Sequence, residues 1–258
     1  MSSGNFFNLQ VPPCDHRFAY GSDPNQFGDL RLPRSAPPYP VVMNLHGGFW
    51  RAKYDLAHAG HMCAALTSRG IAMWNVEYRR VGNPGGGWPG TFDDIRSAYR
   101  FLPQMAGNYG LDLNRALVMG HSAGGHLALC LAAQDSSVRR VISLAGVVDL
   151  QKADELHLSD GAVVEFLGGT PSEVPQCYHD ADPAQLALGK TTFQWLIHGA
   201  KDDVVPCSFS RNYVEMKKSK GESVTYVEIP GANHFDLIDP RSPAWKIVED
   251  RVIELLAK

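Results

Sequence analysis

No two cysteines in this chain stand at a spacing that suggests a bond or a metal site. Cys14, Cys63, Cys130, Cys177 and Cys207 are scattered, odd in number and free of any CxxC pair. That fits free thiols in a reducing compartment better than a disulfide framework. None has a recognisable nucleophile context, and Cys130, inside LALCLAA, reads as a small core residue. Long apolar runs are missing as well. No stretch approaches the ~20 residues a bilayer span needs, and residues 1–16 have neither the basic nor the continuous apolar segment of a secretory signal. A cytoplasmic protein with no membrane partner is the expectation. Nor is there a surplus of charge: 24 Lys and Arg stand against 27 Asp and Glu, a net of −3. This offers no long-range attraction to nucleic acid or anionic lipid, so the expected partner is a neutral or modestly charged small molecule. Oligomeric state is not readable from these features. What is present is 258 residues, 44% of them apolar, enough core for one α/β domain.

Short apolar, β-rich runs alternate with longer segments of helical pattern. The strand candidates are 40–45, 71–77, 116–120, 141–145, 193–198 and 224–229, and helix-like stretches fall near 55–68, 93–105, 125–133, 208–218 and 244–256. This alternation predicts βαβ units, and hence a mostly parallel sheet with helices on both faces. Such a sheet binds ligands at the carboxyl ends of its strands, so catalytic groups belong in loops that follow strands. Two regions break the rhythm. Residues 81–90 read VGNPGGGWPG, a Gly/Pro-rich loop, and 149–191 form a mixed insertion between core strands. The insertion is read as a small cap on a single domain of residues 1–258.

Residues 116–129, ALVMGHSAGGHLAL, hold an apolar strand, then Gly120-His121-Ser122-Ala123-Gly124, then a small-residue helix. This is a G-x-S-x-G elbow in the strand–turn–helix setting the motif requires. Ser122 must occupy a sharp, strained turn to stand above the sheet, and a side chain at Gly120 or Gly124 would strike the neighbouring strand or helix. The bare pattern also occurs as an ordinary Gly-rich turn; the flanking strand and helix favour a nucleophile. Upstream, VVMNL runs into His46-Gly47-Gly48-Phe49-Trp50. An HGG loop after an early strand supplies backbone N–H groups for an oxyanion, with Gly48 or Phe49 and Ala123 as donors. His46 reads as a residue that shapes the loop.

A serine needs a general base, and the base needs an orienting carboxylate. The strand FQWLIHG leads into Asp202 and Asp203, and VTYVEIPG leads into Ala232-Asn233-His234-Phe235. His234 is the candidate base because it follows the last apolar strand, before the final helix. Asp202 is preferred to Asp203 as the acid because it falls four residues after His198 in the pattern HGxxDxxVP; Asp149, Asp236 and Asp239 are rivals in less suitable places. His58 and His61, three apart on a helix, have no third ligand signalled nearby, so no metal is read. GGGWPG does not join a strand to a helix, and Pro89 removes an amide, so it is not a phosphate loop. Trp50 and Trp88, with Phe49, are candidates for an apolar substrate wall.

With HGGFW, GHSAGG, HGAKDDVVP and ANHF in that order, nearly the whole chain resembles the esterase/lipase branch of the α/β-hydrolase superfamily. More narrowly it resembles the kynurenine formamidase (arylformamidase)-like and carboxylesterase group that carries HGGxW. The resemblance implies an α/β-hydrolase fold and a Ser122–Asp202–His234 triad. It also implies an oxyanion hole at Gly48, Phe49 and Ala123, and chemistry without a cofactor. Three activities follow: cleavage of a small carboxylic ester, which is preferred, cleavage of an aryl formamide, or ligand binding on a hydrolase scaffold that no longer catalyses.

Overall fold

The computed structural model describes residues 9–258, so half of the N-terminal segment read above for a secretory signal lies outside the described residues. Eight strands form one sheet: β1 (His16–Ala19), β2 (Phe27–Arg31), β3 (Tyr39–Leu45), β4 (Ala72–Val76), β5 (Leu111–His121), β6 (Arg140–Leu144), β7 (Phe193–Gly199) and β8 (Val224–Ile229). Their order is β1-β2-β4-β3-β5-β6-β7-β8. All pairs from β4 to β8 are parallel, while β1–β2 and β2–β4 are antiparallel. This is the α/β-hydrolase fold.

The period-2 pattern of the central strands builds two cores. Val41, Met43, Leu45, Trp74 and Val118 face one side, against α2 (Gly90–Tyr109), α3 (Ala123–Gln134) and α7 (Ser208–Ser219). Val42, Met73, Leu117 and Met119 face the other, against α1 (Gly60–Ser68) and α8 (Pro243–Leu256). Both faces are covered, which is why the central strands read as near-continuous apolar runs.

The six strands expected from the sequence are present, with ends shifted by a few residues. Two further strands were not expected. β1 is four residues with mostly exposed side chains, and β2, FGDLR, carries a glycine and two charges. Those charges find partners on neighbouring segments: Arg17 donates twice to Asp29, and Arg31 donates to the carbonyls of Pro12 and Pro13. The 149–191 insertion contains three short helices, α4 (Leu150–Glu155), α5 (Ala162–Leu167) and α6 (Pro175–Ala181), and Ala153, Phe166, Leu167 and Tyr178 join the α3 side of the core. Among the described residues no helix is long and apolar enough to cross a membrane.

Candidate active site

The parallel strands all release their loops at one edge of the sheet, and the site is assembled there. β5 ends at His121, and Ser122 follows at φ 55°, ψ −118°, a conformation an L-residue holds only under local constraint. The constraint is the close approach of strand, turn and helix. A Cβ on Gly120 would lie 2.1 Å from the Gly124 carbonyl oxygen, and one on Gly124 would lie 2.0 Å from that of Leu45. Both elbow glycines are therefore required by backbone packing. Ala123 opens α3, so its N–H has no carbonyl one turn back to bond.

The HGG loop leaves β3 and folds over this elbow. Gly48, Phe49 and Trp50 have φ of 115°, 50° and 57°, three successive left-handed residues that reverse the loop's course. A Cβ on Gly47 would come within 3.1 Å of the Ser122 Cβ, so the loop backbone lies directly against Ser122. Among the described residues, the amides of Gly48, Phe49 and Ala123 donate to no backbone carbonyl. The loop is anchored from β4. Glu77, buried just past that strand, accepts from His46 Nε2 (3.1 Å), the Leu56 and Tyr78 amides (2.9 and 3.0 Å) and Arg80 (2.8 Å). Burial alone would raise this carboxyl, but His46 and Arg80 outweigh it and hold Glu77 below the usual carboxylate range. Tyr78 stacks on His46 at 4.3 Å and donates to its carbonyl. His46 thus shapes the loop.

The candidate base follows β8. His234 Nδ1 donates to Asp202 Oδ2 at 2.7 Å, and both side chains are almost completely buried. Asp202 Oδ1 accepts from the Val204 and Val205 amides at 2.9 and 2.8 Å, and Oδ2 also accepts from His198 Nε2 at 3.2 Å. Burial pushes the Asp202 carboxyl up, but the hydrogen bonds from His198 and His234 pull harder, so it stays ionised far below its ordinary range. Asp203 is exposed, and among the described residues no hydrogen bond joins it to His234. His198 serves in the sequence only to mark the position of Asp202, yet it is fully buried and completes the shell around that carboxylate. Its Nε2 also reaches the Val205 carbonyl, which only accepts, so Nε2 carries a proton, while Nδ1 pairs with Ser210 Oγ at 2.7 Å.

Ser122 and His234 open into one cavity of about 520 Å³, shared with Gly48, Phe49, Tyr54, His58 and Phe235. Among the described residues no hydrogen bond joins the Ser122 hydroxyl to His234; such bonds often tighten only with substrate bound. Lys53, Asp55, His61 and the cap residue Ser159 complete part of the rim. Arg51, from the HGG loop, holds the cap in place, donating to Ser159 Oγ, the Ser159 carbonyl and Glu165. His58 and His61 both face the cavity, but among the described residues no three potential ligands gather to hold a metal.

Two expected wall residues are elsewhere. Trp50 has no exposed surface and does not line the cavity: it stacks on Phe166 of α5 at 4.5 Å and donates to His126 Nδ1 at 3.2 Å. The left-handed turn at Phe49–Trp50 sends the indole into the core rather than into the Ser122 cavity. Trp88 stacks on Phe92 at 5.1 Å, and its amide donates to the Phe166 carbonyl, so it packs against the cap rather than lining the cavity. Phe49 alone of the three aromatics lines the cavity, while Tyr54 and Phe235, which the sequence did not single out, join it.

The BD-FAE family model matches residues 29–216, which includes the HGG loop, the elbow and the Asp202 loop. The chain belongs to this family. Among known proteins it is similar to the esterase LipC of Mycobacterium tuberculosis, with 29% identity across 86% of this chain and 60% of LipC. A kynurenine formamidase of Salmo salar is 24% identical across 85% of this chain and 74% of its own length. Among solved structures, a truncated carbohydrate esterase from gut microbiota superposes with a TM-score of 0.81 over 95% of this chain and 99% of that one, at 22% identity. The chain spans about three fifths of the length of the first curated relatives it matches.

Proposed function

We propose that this chain is a serine esterase that cleaves small carboxylic esters through an acyl-enzyme. The observation that carries the reading is the convergence at one cavity of a strained Ser122, a His234 fixed by Asp202, and an HGG loop packed on the nucleophile with unpaired amides. The names of the esterase relatives agree with it.

The chemistry follows from the hydrogen bonds. With Nδ1–H committed to Asp202, His234 presents the lone pair of Nε2 to the cavity and takes the Ser122 proton as Oγ attacks the carbonyl carbon. Negative charge collects on the carbonyl oxygen, where the Ala123 amide and those of Gly48 or Phe49 stabilise it. Each such donor is worth about 3–4 kcal/mol of barrier. The N-terminus of α3 adds its partial positive charge at the same point. His234 then gives its proton to the leaving alkoxide, activates water, and returns to the neutral state on deacylation. The Asp202 carboxylate stabilises the transient imidazolium without taking its proton.

An aryl formamide is a second substrate class for the same machinery, and the Salmo salar relative's name is the observation that favours it. The deciding experiment compares p-nitrophenyl acetate with N-formylkynurenine, using Ser122→Ala as blank. Ester turnover well above formamide turnover, lost by roughly a thousandfold or more in Ser122→Ala, is the expected result. The reverse preference makes the chain a formamidase. Wild-type activity in a folded Ser122→Ala protein, or silence on both substrates, removes the esterase reading.

A further inference from the structure

The catalytic histidine is held at two ends, and only one of them belongs to the triad. Its ring is fixed by Asp202. Its backbone carbonyl accepts a 3.0 Å hydrogen bond from Nε2 of His121, the residue immediately before the nucleophile. His121 has no exposed surface, and its ring lies 4.4 Å from that of His234. On its other side, His121 Nδ1 meets Nε2 of His58 at 3.0 Å. His58 sits in the short 3-10 turn Leu56–Ala59 and lines the cavity.

The proton positions in this chain are determined by elimination. A carbonyl only accepts, so His121 Nε2 must carry hydrogen. A bond between His121 Nδ1 and His58 Nε2 needs one donor and one acceptor. If Nδ1 also carried hydrogen, His121 would be a cation with no anion in contact, buried between two other imidazoles. The run is therefore His58 Nε2–H to His121 Nδ1, and His121 Nε2–H to the His234 carbonyl. Burial pushes His58 down to about 3, and the nearby imidazoles of His46 and His234 disfavour a further positive charge there. Burial and the neighbouring His234 and His58 likewise push His121 well below 6.5, while Asp202 and the His234 carbonyl pull weakly the other way.

We propose that His121 and His58 are positioning residues for the general base, setting the height of His234 above Ser122 through its backbone carbonyl. This rests on the esterase reading above. The bond runs from the residue before the nucleophile to the backbone of the base, so it ties elbow and base loop into one unit that the triad alone does not provide. His234 lies in a short connection between β8 and the 3-10 turn Phe235–Leu237, and the His121 bond pins its carbonyl to the end of β5. A shift of the base by about an ångström costs on the order of a hundredfold in rate, so one backbone anchor carries real kinetic weight.

The test compares His121→Leu, which fills the space without a donor, with His121→Gln, whose amide N–H takes the place of Nε2–H. On p-nitrophenyl acetate, His121→Leu is expected to lower kcat by about 10–100-fold with KM nearly unchanged, and His121→Gln to recover most of the loss. In proton NMR, the downfield resonance of the His234 Nδ1–H bonded to Asp202 is sharp in the wild type and in His121→Gln, and broadened or lost in His121→Leu. Equal kcat in a folded His121→Leu protein, or a glutamine variant no better than leucine, overturns the proposal. Should His121→Leu not fold, His58→Leu carries the same readouts, because it strips the donor from His121 Nδ1 and leaves the elbow intact. An unchanged kcat and resonance there overturn the proposal as well. Should the wild type hydrolyse no ester, the activity reading fails, and the resonance alone decides whether His121 positions His234.

Discussion

Replacing Asp202 by Asn exchanges one oxygen for an NH₂ group and, on the esterase reading, should nearly stop hydrolysis, for a reason visible in its hydrogen bonds. Oδ1 accepts from two backbone amides, Val204 and Val205, and neither can become an acceptor. The asparagine oxygen must therefore occupy that side. Its NH₂ is forced toward His234 Nδ1 and His198 Nε2, both of which donate to Oδ2 in the native protein. His234 can satisfy the new donor only by moving its proton to Nε2, the atom that has to accept the Ser122 proton. The base is then in the wrong tautomer, and the loss expected in kcat is about 10⁴-fold, or about 5 kcal/mol of barrier. Stability falls less, by about 1–3 kcal/mol, because His198 keeps its bond to the Val205 carbonyl while losing its acceptor on Asp202. The assay is steady-state hydrolysis of p-nitrophenyl acetate, with thermal unfolding as control and Asp203→Asn alongside. Asp203 is exposed, so that variant should keep its activity and its stability to within about 0.5 kcal/mol. Activity of Asp202→Asn within tenfold of the wild type, or an equal loss in Asp203→Asn, would refute the assignment of the acid.

Stability should also rise with pH between about 4 and 6.5. His58 and His126 are pushed by burial to about 3 and about 4, and His121 also lies well below 6.5. All three are depressed, so their contribution is fully present above the unfolded value near 6.5 and is lost as pH falls toward the folded values, where only the unfolded chain binds the protons. Asp182 opposes this: burial raises it to about 6 despite bonds from the Leu150, Gln151 and Ala184 amides, so its share declines as pH rises from about 4 to 6. Three protons against one leave a slope of about 3 kcal/mol per pH unit near pH 5. Urea melts at several pH values measure it, Asp182→Asn should steepen it, and a flat or falling profile would contradict the neutral assignment of the histidines. Trp50→Ala should cost about 3–5 kcal/mol of stability, since it empties the stack on Phe166 and strips the donor from His126. Denaturation midpoints and KM for the acetate ester test this together; unchanged stability with a raised KM would put the indole back in the substrate wall.

The sheet's central strands were legible because they are buried on both faces, so their apolar runs stand out whatever the register. β1 and β2 were not, because an antiparallel edge needs little apolar surface. The charges of β2 find partners, Arg17 and two proline carbonyls, that no local pattern announces. The cap helices were missed for a related reason: each is seven residues or fewer, too short for a helical period to show against its neighbours. Trp50 and Trp88 show the limit of residue type as a guide to place. An aromatic beside an oxyanion loop suits a substrate wall, but side-chain direction depends on backbone dihedrals, and φ of 50° and 57° at Phe49 and Trp50 turned the indole into the core.

The site divides along the same line. Ser122, the HGG loop and His234 sit where fold physics demands a recognisable local sequence: glycines that backbone packing requires, and a histidine just past the last strand. The residues that hold them carry no such mark. Glu77 is an acid after an apolar strand, His198 a polar residue inside one, and His121 an unconstrained letter between two invariant parts of a motif. What gives each its role is a partner that residue type does not name: His46 for Glu77, Asp202 and Ser210 for His198, His58 and the His234 carbonyl for His121. Each is also buried and bonded through a carboxylate or a ring nitrogen. Among otherwise featureless polar residues in apolar strands or at their carboxyl ends, those are the ones to examine first: burial without a partner costs a polar group about 1–3 kcal/mol, so a polar residue kept there has a partner to find.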